Sequence, residues 1–480
     1  MKMVKSLLLG AAAGLVGVAG AQAADLPVKA KPVQYVKICS LYGAGFYYMP
    51  GTDTCLKVGG YVRAEVNFNA ANSFAPNVGA SGAHSSSTYF ENNWRTRAAI
   101  TLDARSQTEY GTLRAYLLVT ATDGNSNGES YAAPNGIPSG TTGFSSTTNA
   151  GHAAGYTRLY APAAFIQFAG FTAGKTDSFF NFDTQPYSNQ SNYWGSNQGG
   201  NGVDLFAYTA QFGNGLSASI AAENNNGHRL GITATNANTV LTIAGATVAN
   251  TTYGGQGAPD IVGNLRIDQA WGSAQVMGAA HELTFAYSDA SAGVSPSPKW
   301  GYAFGAGLKL NAPMFGKGDY VIAEGSWTKG ATSYVASGAS TGSNNVSMGG
   351  VTTAAPFWDA VITSGNGTSA ANVDLTTAWS VTAGYEHFWN TQWKTSLYGA
   401  YGAVKYSDAA NLIVGGTATS SANWNYWQVG SRTVWTPVTN LDLSVEVMYQ
   451  KMDNDLTHTA TVGSNDWFSG IFRVQRNFYP

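Results

Sequence analysis

From Leu56 to Phe68 the chain changes character at every step. Leu56, Val58, Val62, Ala64, Val66 and Phe68 occupy even positions, with Gly60 among them, while Lys57, Tyr61, Arg63, Glu65 and Asn67 occupy odd ones. Successive side chains of an extended strand point to opposite faces, so this stretch predicts a strand with one apolar and one polar side. The period recurs at Trp94, Ile100 and Leu102 against Asn93, Arg95, Arg97, Thr101 and Asp103. Near the end Leu441, Leu443, Val445, Val447 and Tyr449 alternate with Asp442, Ser444, Glu446, Met448 and Gln450. Marking every such run gives sixteen strands, at 56–68, 92–104, 111–121, 157–168, 170–175, 204–212, 216–224, 260–268, 272–282, 300–310, 319–328, 375–388, 393–406, 423–435, 440–452 and 467–478. The expected class is all-β and antiparallel.

The connections sharpen this to a transmembrane β-barrel. Short turns such as Gly213-Asn214-Gly215 and Thr436-Pro437-Val438-Thr439 alternate with long polar stretches at 122–156, 225–259 and 329–374. Short periplasmic turns and longer extracellular loops are the mark of such barrels. An even strand count returns both chain ends to the periplasmic side. A tilted strand of ~9–11 residues crosses the hydrocarbon layer, and an open sheet edge there would leave unpaired backbone groups at several kcal/mol each, so the sheet must close. Trp94, Trp300, Trp327, Trp379, Trp427, Trp435 and Tyr449, near the proposed strand ends, fit interfacial aromatic girdles. After residue 24 no continuous apolar segment reaches spanning length, and only 11% of residues are charged beside 58 glycines, which excludes a helical membrane protein.

The first residues are expected to be lost on export. Lys2 and Lys5 precede an apolar run from Leu7 to Val18 and then Ala21-Gln22-Ala23, the pattern of a cleaved secretory signal over 1–23. Its removal leaves 23 basic against 27 acidic residues and moves the formal charge from −2 to −4, which argues against a nucleic-acid partner. Residues 24–55 then form a periplasmic N-terminal segment and 56–480 the barrel. Cys39 and Cys55 lie 16 positions apart in a chain bound for an oxidising compartment, where a disulfide is expected. Two free or metal-binding thiols are the alternative, with no His or Cys cluster nearby to complete a metal site. No cofactor is expected.

Sixteen strands enclose a space too wide for side chains to fill, so an aqueous channel with a polar inner face is expected. Lys57, Arg63, Glu65, Arg95, Arg97, Asp103, Arg114, Tyr116, Gln211, Glu223, Lys309, Glu324, Glu386, Arg432, Glu446 and Arg473 all fall on the inward phase. Arg63, Arg95, Arg97 and Arg114 come from three neighbouring strands and would make a positive stripe, its charge fixed at any working pH. The segment 176–203 is the candidate constriction loop facing it, with Lys175, Asp177 and Asp183 on the loop side and Phe179, Phe180 and Phe182 beside them. Charge at such a narrowing is a general route to ion preference.

The run from Tyr35-Val36-Lys37-Ile38-Cys39 through Tyr42-Gly43-Ala44-Gly45-Phe46-Tyr47-Tyr48-Met49-Pro50-Gly51-Thr52-Asp53-Thr54-Cys55 to Tyr61-Val62-Arg63 resembles the N-terminal signature of the alphaproteobacterial porins, the family of the major porins of Brucella and the rhizobia. Phe165-Ile166-Gln167, Pro259 to Leu265, Trp271-Gly272-Ser273 and Phe472 to Phe478 extend the likeness along the chain. The resemblance implies a sixteen-stranded homotrimeric porin for small hydrophilic solutes, set among outer-membrane lipid and lipopolysaccharide. It also implies an inward third loop, a bridged cysteine pair and a terminal aromatic, here Phe478, read by the barrel assembly machinery. Family members end on that aromatic, whereas Tyr479 and Pro480 follow it here. A sugar-selective channel is the rival reading, with Tyr61, Tyr116 and the Phe179–Phe182 cluster as a stacking track. A barrel enzyme would need a nucleophile and base on adjacent strands, and none of the six histidines, His84, His152, His228, His281, His387 and His458, carries a recognisable motif. Adhesion through the long loops could coexist with transport.

Overall fold

A computed structural model describes residues 37–68, 79–80, 92–124, 156–183, 185–187, 194–196, 202–234, 241–243, 246–248, 253–285, 296–336, 346–347, 357–363, 372–414, 421–454 and 466–478. The expected signal segment, the Tyr479-Pro480 extension and most of the 122–156 loop lie outside them.

Sixteen strands form a single ring: β1 Cys55–Phe68, β2 Asn92–Thr108, β3 Gly111–Gly124, β4 Tyr156–Phe168, β5 Phe171–Thr176, β6 Val203–Gly213, β7 Leu216–Glu223, β8 Asp260–Gln269, β9 Gly272–Leu283, β10 Lys299–Asn311, β11 Tyr320–Lys329, β12 Thr377–Phe388, β13 Trp393–Lys405, β14 Trp424–Val438, β15 Leu441–Asn454 and β16 Asp466–Asn477. Each pairs antiparallel with its chain neighbour, and β16 returns to β1 with Gln475 opposite Arg63 and Arg473 opposite Glu65. Every expected strand is present. The largest boundary differences are at β2, which runs on to Thr108 because the ladder continues to the two-residue turn Glu109-Tyr110, and at β3, whose far end runs on to Gly124 opposite Arg95. At the other hairpin of note β14 continues through Pro437 to Val438 with a register shift after Trp435, so the turn expected at Thr436–Thr439 is Thr439-Asn440.

The faces invert the arrangement of a soluble protein. Val62, Ile100, Ile166, Phe206, Ile220, Val276, Phe304, Leu397, Val445 and Phe472 are exposed on the outside, where they form an apolar band. Aromatic pairs edge it: Tyr302 with Trp327, Trp379 with Tyr401, and Trp427 with Tyr449 near the long connections, and Trp393 with Trp435 near the short ones.

The inside divides into two unlike halves, which the uniform polar lining expected from alternation does not describe. On β16 and β1–β3 the buried inward residues include Arg473, Arg63, Glu65, Asn67, Arg95, Arg97, Asp103, Thr120 and Thr122. On β6–β15 many inward positions are apolar. Val203, Leu205, Val262, Met277 and Ile322 pack with Phe180, Phe182 and Tyr334, and Val404, Trp424, Tyr426 and Met452 pack with Trp194, Leu230, Phe357 and Trp358. Chain from the long connections therefore lies inside the barrel against this half. It includes a small three-stranded sheet of Ile232–Ala234, Ala360–Thr363 and Asn372–Leu375. Among the described residues no helix is long and apolar enough to cross a membrane.

Candidate pore lining and constriction

The segment after β5 reaches across the packed half from strand to strand. Glu223 of β7 accepts the Phe179 backbone N–H at 2.8 Å, and the Asn264 amide of β8 donates to the Phe179 carbonyl at 2.7 Å. The Gln275 amide of β9 donates to the Asn181 carbonyl at 3.0 Å. Gln185 donates to the Thr382 hydroxyl of β12 at 3.1 Å, and the Tyr187 ring meets that of Tyr398 on β13 at 5.2 Å. Farther along, Glu324 of β11 accepts the Ser196 N–H at 3.0 Å, and the Trp194 indole N–H donates to the Tyr426 carbonyl of β14 at 2.8 Å.

Glycines on the wall make room for it. A Cβ on Gly307 would sit 2.3 Å from the Phe182 ring, and one on Gly402 would sit 2.5 Å from the indole of Trp194. The fit is one of side chains into bare backbone, so a methyl group at either position forces the segment to shift.

The opposite wall carries a cluster of guanidinium groups. Glu65 is its only carboxylate among the described residues: it is bridged by Arg95 from β2 and by Arg473 from β16, the latter at 2.6 Å. Arg63 stands opposite Arg97 in the β1–β2 register and donates from Nε to Gln475 at 2.8 Å. Arg97 donates to the Thr122 hydroxyl at 2.8 Å. Arg63 lies over the Tyr61 ring at 4.8 Å and Arg97 over Tyr160 at 6.0 Å.

Arg114 does not join that cluster. It pairs in register with Arg105, eight residues down β2 from Arg97, and both guanidiniums share Asp103, at 3.0 and 2.7 Å. The stripe expected from sequence is thus two groups at different levels, Arg63, Arg95 and Arg97 about Glu65 in one and Arg105 and Arg114 about Asp103 in the other.

The loop-side residues also separate. Asp183 accepts from Arg266 of β8 at 2.8 Å and lies 3.7 Å from Lys309 of β10, so its charge is balanced by its own wall. Asp177 is exposed just beyond β5. Lys175 lies on the outward phase of β5, opposite Asp204, in the phase that carries the exposed Phe171 and Phe206. A strand edge one residue from where alternation had set it is enough to reverse a face.

Sequence reasoning named Glu223 and Glu324 only as inward charges; their use is to receive backbone N–H groups of the inward segment. Trp194, an anchor of that segment, carried no periodic signal at all. The aromatic track of the sugar reading is not free for stacking: Phe180 and Phe182 are buried in the packed half, and Tyr116 is stacked on Phe165 at 5.1 Å beneath Arg114.

At the short-turn end the segment before β1 tucks against inward side chains. Cys39 and Cys55 are bridged and buried with Phe46. Arg105 lies over the rings of Phe46 and Tyr42 at 4.9 and 5.7 Å, and Lys57 lies over Phe46 at 5.7 Å. Phe478 closes the seam, its N–H donating to the Gly60 carbonyl at 3.0 Å while its ring fills the space a Cβ on Gly60 would need.

Three comparisons bear on this architecture. Porin Omp2b of Brucella suis biovar 1 (strain 1330) is 34% identical over 276 residues, which is 56% of this chain and 64% of that protein. Porin Omp2b of Brucella melitensis biotype 1 matches at the same identity and coverage. The match thus spans somewhat under two thirds of the length of these relatives. The outer membrane channel DcaP of Acinetobacter baumannii superposes with a TM-score of 0.56 at 15% identity, over 90% of this chain and 99% of that one, a likeness of fold. The model of the porin subfamily matches residues 25–471, and the chain belongs to that family.

Proposed function

We propose that the protein is an outer-membrane porin, a passive water-filled channel for ions and small hydrophilic solutes, exported after loss of residues 1–23 and assembled as a homotrimer. One observation carries this reading: a closed ring of sixteen strands that is apolar outside and holds a wall of buried charge inside. Charged side chains turned away from lipid have no use in a solid plug and are what a hydrated lumen requires. The inward segment at 176–203 narrows the bore from the β7–β14 side. The passage then runs along β16 and β1–β4, past Arg63, Arg95 and Arg97 and on toward Arg114 and Asp103. Short turns face the periplasm, with the 24–55 segment beside the exit.

Osmotic swelling of liposomes containing the purified protein tests the reading. Entry rates should fall smoothly with solute size and show no saturation for any sugar. Liposomes that do not swell in the smallest sugars, although the barrel is folded, would refute it.

A further inference from the structure

The outer face of the barrel carries unanswered charge at its long-connection end. Lys329 stands opposite Thr377 in the β11–β12 ladder, and Thr377 stands opposite Lys405 in the β12–β13 ladder. The three share one lateral row on the outward phase, in step with the exposed Trp327, Val381 and Tyr401, and both lysines are exposed. Neighbouring strands lie about 4.8 Å apart, so the two lysine stems rise roughly 10 Å from each other with Thr377 between them. Their ammonium groups, on flexible four-carbon stems, can close on one object.

The row is held in place and left without a counter-charge. The Gly330 N–H donates to the Thr376 carbonyl at 2.8 Å and the Tyr406 N–H to the Asn423 side-chain oxygen at 2.8 Å, which carries backbone order past both lysines. Among the described residues neither lysine has an ion pair or a hydrogen bond. Three other lysines near this rim are answered: Lys175 faces Asp204 across the β5–β6 ladder, Lys299 donates to the Val373 carbonyl at 2.7 Å, and Lys451 pairs with Asp453 at 3.3 Å. Of the acids nearest in the chain, Asp374 accepts the Ser407 hydroxyl at 3.0 Å and Asp408 opens the short helix Asp408–Val414. Two residues below the row, about 7 Å toward the membrane centre, Trp327 and Trp379 form its floor, with Trp379 against Tyr401 at 5.3 Å. Tryptophan and tyrosine settle where hydrocarbon meets the headgroups, so the lysines stand at headgroup level.

We infer that Lys329, Thr377 and Lys405 form a docking site for a phosphate group of lipopolysaccharide in the outer leaflet, with the acyl chains of that lipid along the apolar band below. The inference rests on the porin reading and the orientation that goes with it, and it gives the outer face a partner at named residues. Long connections mark the external side of such a barrel, so the row meets the external leaflet. Two ammoniums without a carboxylate suit a phosphomonoester, a dianion that brings no cation of its own and accepts charge-assisted hydrogen bonds. A zwitterionic phospholipid already holds an ammonium beside its phosphate and gains less from them. Exposed Val381 and Leu397, farther down β12 and β13, offer the acyl chains a hydrocarbon surface.

Binding of a fluorescent lipid A to the folded protein in detergent supplies the test, with dephosphorylated lipid A and phosphatidylglycerol in separate arms. The wild type should bind the phosphorylated form about tenfold more tightly than the dephosphorylated one, and more tightly than phosphatidylglycerol. The double variant Lys329→Gln, Lys405→Gln should lose that difference, whereas Lys451→Gln should keep it. Should the double variant not run as a folded barrel, Lys405→Gln alone supplies the comparison, with a loss of about threefold. Equal binding of the two forms of lipid A by the wild type, an unchanged preference in the double variant, or binding of phosphatidylglycerol as tight as that of lipid A would each overturn the inference. Bilayer recording of the same preparations separates the two readings, because the row lies outside the bore and the double variant should conduct like the wild type. A negative binding result beside normal conducting steps would overturn this inference and leave the porin reading intact. The absence of conducting steps would instead remove the porin reading.

Discussion

Arg63 and Arg97 stand directly opposite each other across the β1–β2 ladder, both on the lumen side. Like charges so placed cost roughly 0.2–1 kcal/mol relative to neutral pairs, so the fold keeps them at the expense of its own stability. Arg97→Gln should therefore raise the urea midpoint of the barrel slightly in lipid vesicles, since a glutamine amide can still donate to Thr122. A lowered midpoint would mean that the pair is not repulsive.

Trp194 is fully buried between Trp424, Phe357 and the bare backbone of Gly402. Removal of a buried tryptophan costs about 3–5 kcal/mol where the site cannot collapse, and here the cost falls on the inward segment, because the ring of strands is closed without it. Trp194→Ala should leave the barrel folded by its resistance to detergent and heat, and should increase single-channel conductance and its noise. Unchanged conductance would show that the segment does not narrow the passage.

The Cys39–Cys55 bridge closes a loop of 16 residues outside the ring, a constraint worth roughly 3 kcal/mol in the chain-entropy view. Reduction should spare the barrel and release the segment that covers Arg105 and Lys57. Limited proteolysis should then cut within 37–54 only in the reduced protein, leaving a fragment that still runs as a folded barrel.

Ala169 turns the β4–β5 hairpin with φ at 49°, beside Gly170 at 87°. An L-residue held in the left-handed region costs roughly 1–2 kcal/mol, and asparagine tolerates it better than alanine. Ala169→Asn should stabilise refolding into vesicles by about 0.5–1 kcal/mol, read from the denaturant midpoint. A loss of stability would mean that the methyl group makes a contact that outweighs the strain.

Asp319, in the turn before β11, is buried, which by itself would raise its pKa. The Phe388 N–H, the Tyr385 hydroxyl and the His387 ring together outweigh this and hold the carboxyl below its ordinary range. A depressed folded value contributes stability above the unfolded value, near 4, that is lost as pH falls through the folded value. Acid unfolding of the wild type should thus have a steeper limb below about pH 4 than that of Asp319→Asn, and coincident limbs would contradict the assignment.

Alternation, together with the family resemblance, located the sixteen strands because lipid imposes one rule on the outside: every second residue from Leu56 to Phe68 must suit hydrocarbon, whatever the inside contains. The inside obeys no such uniform rule. Val262, Met277 and Trp424 are inward and apolar because distant chain packs on them, and such partners, for example Gln185 with Thr382, are 197 residues apart. Arg114 looked like a member of one stripe with Arg63, Arg95 and Arg97 until register set it against Arg105, and Lys175 changes face with the phase of a six-residue strand. Pairing between strands, rather than the pattern within one, decides which charges meet.

The most direct test of the channel itself is single-channel recording of the purified oligomer in a planar bilayer. The account predicts abrupt conductance steps, grouped in threes, that scale in proportion to salt concentration. A folded, membrane-inserted barrel that produces no conducting steps would contradict it.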